Sequence, residues 1–234
     1  MMNQEIEARR SARLIQVTIG PVTLEGDLHV QADARGIVLF AHGSGSSRHS
    51  PRNRFVADVL QNGGLATLLI DLLTQDEERI DARTAHLRFD IGLLAGRLTG
   101  AAAWLKQQPA TRDLRIGCFG ASTGGGAALL TAAQHPDLVD AVVSRGGRPD
   151  LAGPALPRVK APTLLIVGGE DTPVIRMNEE AFAQLRCERR LEIVPGATHL
   201  FEEPGTLEQV ARLARDWFSH YLALGSRQRA VGQP

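Results

Sequence analysis

The chain has 234 residues, 43% of them hydrophobic, and its 26 basic and 26 acidic side chains cancel to a formal net charge of zero. That balance is globular and leaves no electrostatic footprint for nucleic acid, so the expected partner is a small molecule. The opening MMNQEIEARRSARL is charged throughout, and no stretch approaches the roughly 18 apolar residues of a membrane span, so a cytoplasmic protein without membrane insertion is expected.

Residues 14–20 and 22–30 alternate apolar and polar side chains around Gly20-Pro21, the pattern of an antiparallel hairpin at a sheet edge. From about residue 36 the pattern changes. Short Leu- and Val-rich runs at 36–42, 65–72, 114–121, 139–145, 162–169 and 191–195 read as buried strands. Between and after them, residues 52–63, roughly 82–107, 123–135, roughly 174–186 and 204–224 space their apolar positions three and four apart, as amphipathic helices do.

This alternation predicts an α/β fold, a mostly parallel central sheet with helices on both faces and an N-terminal hairpin. One domain over 1–234 is expected, with its core at about 13–224 and a fraying tail at 225–234. Cys118 and Cys187 have neither metal-site nor disulfide spacing and read as reduced packing residues.

The segment that carries chemistry is Gly120-Ala121-Ser122-Thr123-Gly124, a G-x-S-x-G pattern with a buried strand before it and an Ala- and Leu-rich helix after it. A sharp strand-to-helix turn crowds its neighbours, so glycines flank the serine, and Ser122 is the candidate nucleophile. A serine hydroxyl needs a base, and the base needs an acid to hold its tautomer. Asp171 follows the run LLIVGG and His199 follows LEIVP, both beyond carboxyl ends of strands, where open α/β sheets gather their functional groups.

Rivals exist for both partners. Glu170 adjoins Asp171 and competes for the role of acid; Asp71 reads instead as a brace for a loop. His49 can also reach the site, while His42 is placed to brace the glycine loop beside it; the order Ser, Asp, His favours His199. The oxyanion of an acyl intermediate needs two main-chain N–H donors, assigned here to Thr123 and to Ser44 in the loop HGSGSS.

Taken together, HGSGSS, GASTGGG, GGEDTPV and GATHLFEEPG resemble the dienelactone hydrolase-like branch of the α/β-hydrolase superfamily over residues 36 to 220. The resemblance implies the α/β-hydrolase fold, an esterase-type hydrolase without metal or organic cofactor, and Ser122, Asp171 and His199 as its triad. Dienelactone hydrolases proper use a cysteine nucleophile where this chain has Ser122, so a general small carboxylic ester is the expected substrate. An acyltransferase using the same acyl-enzyme, or a ligand receptor on the same fold, are the competing readings.

In lipases of this superfamily a helical lid follows the sixth strand. The corresponding residues 145–162 are too short and too rich in Pro and Gly for one, so an open site without a lid domain is expected. Arg145 and Arg148 are expected at its rim, where Arg145 can hold a carboxylate or phosphate of the substrate or serve as a structural arginine.

Overall fold

The computed structural model describes residues 12–223; residues 1–11 and 224–234, which include the tail expected to fray, lie outside the described residues. Strands β1 (Arg13–Ile19) and β2 (Val22–His29) form the antiparallel hairpin, turning at Gly20 with a φ of +56°. The remaining strands are β3 (Ile37–Ala41), β4 (Ala66–Ile70), β5 (Ile116–Ala121), β6 (Ala141–Arg145), β7 (Thr163–Gly168) and β8 (Arg189–Val194). They make one sheet in the order β1-β2-β4-β3-β5-β6-β7-β8, parallel from β4 to β8.

Every residue of β3 to β7 is buried, because helices cover both faces and the strands have no polar side to turn to water. The two-residue period of the strands then sorts the core. Val38 and Phe40 face α1 (Pro51–Asn62) and α6 (Thr206–Leu222), where Val56, Leu60, Val210 and Phe218 meet them. Ile37 and Leu39 face the other way, sharing a core with Leu98 of α3 (Ile91–Leu105), Ala127 of α4 (Thr123–Gln134) and Ala181 of α5 (Thr172–Gln184). Phe40 and Phe119 pack with ring centroids 4.9 Å apart, and removing either ring should cost roughly 3–5 kcal/mol.

One expected helix is three pieces. The run 82–107 takes in the last turn of α2 (Gln75–Thr84), a 3-10 turn at Leu87–Phe89 and α3. Ala85 ends α2 in the left-handed region at φ 54°, the Asp81 carboxylate accepts the N–H groups of Leu87 and Arg88, and Asp90 caps α3 by accepting from Leu93 N–H. Apolar periodicity runs through such a break without marking it. Two short 3-10 turns within Pro149–Arg158, kinked at Gly153 with a φ of +48°, fill the stretch where no lid is expected; they pack on the core through Ala152, Ala155 and Leu156.

The chain leaves β3 for β4 on one side and returns to β5 on the other, so the carboxyl ends of β3 and β5 border a crevice. Open α/β sheets place their sites there, and the described loops converge on it.

Candidate active site

Ser122 sits between β5 and α4 at φ 51° and ψ −121°, a conformation that side-chain-bearing residues rarely adopt. Its surroundings impose it. A Cβ on Gly120 would lie 2.4 Å from the Gly124 carbonyl oxygen, and one on Gly124 would lie 2.2 Å from that of Ala41. Gly43 also has to be bare, since its Cβ would fall 3.0 Å from the Cβ of Ser122. The Ser122 carbonyl accepts the N–H groups of Gly125 and Arg148 at 2.9 and 3.0 Å, and its own N–H donates to Arg145 O at 3.2 Å. Its side chain makes no capping bond to α4, although serine is a favoured cap, so among the described residues the hydroxyl has no hydrogen-bond partner.

Asp171 starts α5 and likewise makes no side-chain cap. Its Oδ2 instead accepts from His199 Nδ1 at 2.6 Å, an arrangement that leaves Nε2 of the ring for another partner. Glu170, the neighbouring carboxylate, is exposed and makes no side-chain hydrogen bond among the described residues. The two residues share one loop, yet the turn into α5 aims only Asp171 inward.

The loop carrying His199 is tied from below. Glu203 accepts the Thr198 N–H at 3.0 Å and the Thr198 hydroxyl at 2.7 Å, and these bonds hold its carboxyl below the usual range. Gly146, at φ +49°, lets β6 approach; a Cβ there would lie 3.1 Å from His199 O and 3.5 Å from its Nδ1. Thus the end of β6 touches both the Ser122 turn and the His199 loop.

The N–H groups of Thr123 and Ser44 donate to no acceptor among the described residues, as oxyanion donors must. The Ser44 loop is braced by His42, as the sequence suggests. Leu72 N–H donates to Nε2 at 3.0 Å, which puts the ring proton on Nδ1, and Nδ1 then donates to Gly43 O at 3.0 Å. Burial pushes the His42 pKa down and keeps the ring neutral. Asp71 is the second brace: it accepts from the Arg48 main chain at 2.7 Å and from the Arg48 guanidinium, which also pairs with Glu25 at 2.7 Å. His49 is exposed on the same loop, where its Nδ1 meets Arg54 Nη2 at 2.7 Å.

A cavity of about 480 Å³ opens on the side of the two N–H groups, with Ser44, Thr123, Leu73, Leu94, Glu78 and Arg88 in its wall. Ser122 and His199 lie outside that lining, so the cavity adjoins the centre and does not contain it. Residues of α2 and the following 3-10 turn supply one side. The Asp81 carboxylate is buried, which works against its charge, but Arg88 and the N–H groups above it hold its pKa below the ordinary value. Burial, with Asp71 and Asp81 nearby, pushes Glu78 up. The sequence reading missed this wall, although Thr74-Gln75-Asp76-Glu77 is a capping-box pattern and marks the start of α2; both reciprocal bonds are present.

The two arginines expected at the rim behave differently. Arg148 forms a two-bond pair with Asp150 at 2.8 and 2.7 Å. Arg145 is not at the rim: it is only 6% exposed, with its guanidinium over the Phe201 ring. The strand direction explains it, since Arg145 continues the alternation that turns Val143 toward α1 and α6.

This topology and the turn at Ser122 define an α/β-hydrolase. The dienelactone hydrolase family matches residues 28–223, and the chain belongs to that family. The dienelactone hydrolase from Anabaena variabilis is 67% identical, with a TM-score of 0.89 over 90% of this chain and 98% of that one. Est1E from Butyrivibrio proteoclasticus, at 14% identity, shares the fold alone, with a TM-score of 0.75 over 89% of this chain and 98% of its own. A protein of Mycobacterium tuberculosis called a putative phosphoribosyl transferase is 60% identical over 208 residues, which make up 89% of this chain and 46% of that protein. The chain therefore spans about half the length of the curated relatives it matches. Among the described residues no helix is long and apolar enough to cross a membrane.

Proposed function

We propose that the chain is a serine hydrolase acting on a small carboxylic ester through an acyl-enzyme on Ser122. The observation that carries this reading is that the end of β6 brings together the Ser122 turn at φ 51° and a histidine already held by a carboxylate at 2.6 Å. In this reading His199 Nε2 takes the Ser122 proton as Oγ attacks the ester carbonyl. Asp171 keeps the Nδ1 proton in place and stabilises the imidazolium that forms. The N–H groups of Thr123 and Ser44 take the oxyanion, at the positive end of α4. His199 then protonates the leaving alcohol, and a water activated by the same ring releases the acid.

The same reading treats the chain as one domain, because the described residues share a single eight-stranded sheet. An acceptor alcohol in place of water would make the protein an acyltransferase without changing any residue role.

The test is labelling with a fluorophosphonate followed by peptide mapping. The peptide containing Ser122 should carry the label, and Ser122→Ala should lose both the label and hydrolysis of 4-nitrophenyl acetate while keeping its circular dichroism. Undiminished labelling of that variant would overturn the assignment. Adding primary alcohols separates the two outcomes: formation of new esters at the expense of acid indicates transfer.

A further inference from the structure

The side chain of Arg145 is an unbalanced charge. It is a guanidinium only 6% exposed, yet none of its nitrogens reaches an acceptor among the described residues, and its Nε is fully covered. A buried cation without a counter-ion is strongly disfavoured, and native structures seldom keep one. Its aromatic neighbour offers a cation–π face but no negative charge. The guanidinium lies 5.8 Å from the centroid of Phe201, and Glu202, the next residue, pairs at 3.1 Å with Arg52. Consecutive residues of one loop, Phe201 and Glu202, thus tie both arginines to the same stretch of chain, and Arg52 Nε is also covered and without a partner among the described residues.

Arg52 belongs to the first turn of α1, which carries no acidic residue to neutralise its positive end. Burial lowers the Arg145 pKa to about 10, with the Arg52 charge acting in the same direction. The group nevertheless remains charged at neutral pH.

We propose that Arg145, Arg52 and the amino end of α1 form an anion site beside the Ser122–His199 centre that takes a phosphate group, either carried by the substrate or free. The charge decides between anions. Glu202 balances Arg52, so what remains is the full charge of Arg145 and about half a charge from the helix end. A carboxylate supplies one negative charge; a phosphate monoester supplies about 1.5 to 2 at neutral pH and matches better. Its position suits a substrate group, since the Arg145 carbonyl holds the Ser122 N–H and the adjoining Gly146 abuts His199.

The version in which the phosphate arrives on the substrate rests on the ester hydrolase reading above; the site itself does not. Inorganic phosphate should raise the melting temperature of the wild-type protein more than acetate or chloride at equal ionic strength. Arg145→Met should abolish that shift, Arg145→Lys should keep part of it, and Arg52→Met, at a more exposed position, should weaken it several-fold.

A second arm compares kcat/KM for 4-nitrophenyl 4-(phosphonooxy)butanoate with that for 4-nitrophenyl butyrate. The ratio should favour the phosphorylated ester in wild type and fall at least about tenfold in Arg145→Met, the loss expected for a charged hydrogen-bonding partner. A thermal shift without an ester preference leaves the site standing with free phosphate as its ligand. No shift with phosphate, or a shift that survives in both the Arg145→Met and Arg52→Met proteins, overturns the site. Should Arg145→Met fail to fold, Arg52→Met and Arg145→Lys still decide it. Failure of the ester reading would show separately, as absent turnover of both esters with the phosphate shift intact.

Discussion

Asp171 and His199, 28 residues apart in the chain, are joined by a 2.6 Å hydrogen bond that Asp171 makes in place of capping its own helix. A side-chain cap stabilises a helix by about 1 kcal/mol, so forgoing it directs the carboxylate to the ring. Asp171→Asn puts an amide where an acceptor is needed and turns the ring to the wrong tautomer. Turnover should fall by about three to four orders of magnitude, while Glu170→Gln stays within about threefold of wild type. Steady-state kinetics of the two variants check the ranking, and the reverse order would move the acid to Glu170.

His42 touches both the Ser44 loop and the end of β4, and its removal should loosen the Ser44 N–H. His42→Ala is expected to lower kcat by about 10- to 100-fold, less than the roughly 100- to 1000-fold of outright loss of an oxyanion donor, with a smaller change in KM. Because burial pushes the folded pKa below 6.5, the unfolded chain takes up the proton first as pH falls. Stability should therefore drop below about pH 6.5, and less so in His42→Asn. Urea denaturation at two pH values on either side of 6.5 measures this.

Glu203 gives the opposite residue type and the same direction. Its pKa is held below 4.5 by the two Thr198 bonds, so the stabilisation is present above that value and is lost as the carboxylate protonates. The Thr198 amide resonance should titrate below pH 4.5 in wild type and stay flat in Glu203→Gln. That variant should also turn over several-fold more slowly at neutral pH, since the His199 loop loses its tie.

The cavity beside Ser44 and Thr123 mixes apolar Leu73 and Leu94 with Glu78 and Arg88. A long acyl chain lying there would cover charged groups without replacing their hydration, and each CH₂ left outside forgoes about 0.8 kcal/mol. In a series of 4-nitrophenyl esters from acetate to palmitate, kcat/KM should peak at the short end. With no helical lid after β6, rate should also rise smoothly with ester concentration through the onset of aggregation. A maximum at long chains or a jump on aggregation would contradict this view of the site.

The strands and the turn at Ser122 were legible because their signals are local. Buried strands show as short apolar runs, and the tight turn needs glycine at 120 and 124 whatever surrounds it. The same holds for the order Ser122, Asp171, His199, since each follows a strand and parallel strands end on one edge. The choice between Asp171 and Glu170 was not local. Two adjacent carboxylates share one loop, and which of them meets His199 depends on how α5 begins once it is packed. The break of 82–107 into α2 and α3 was likewise hidden, because Asp81 ends α2 by bonding across the turn, and periodicity does not register such bonds. Arg145 reads in the sequence as a rim charge at a strand end. Only the tertiary structure buries it, since the Phe201 loop, distant in sequence, closes over the face to which the strand alternation turns its side chain.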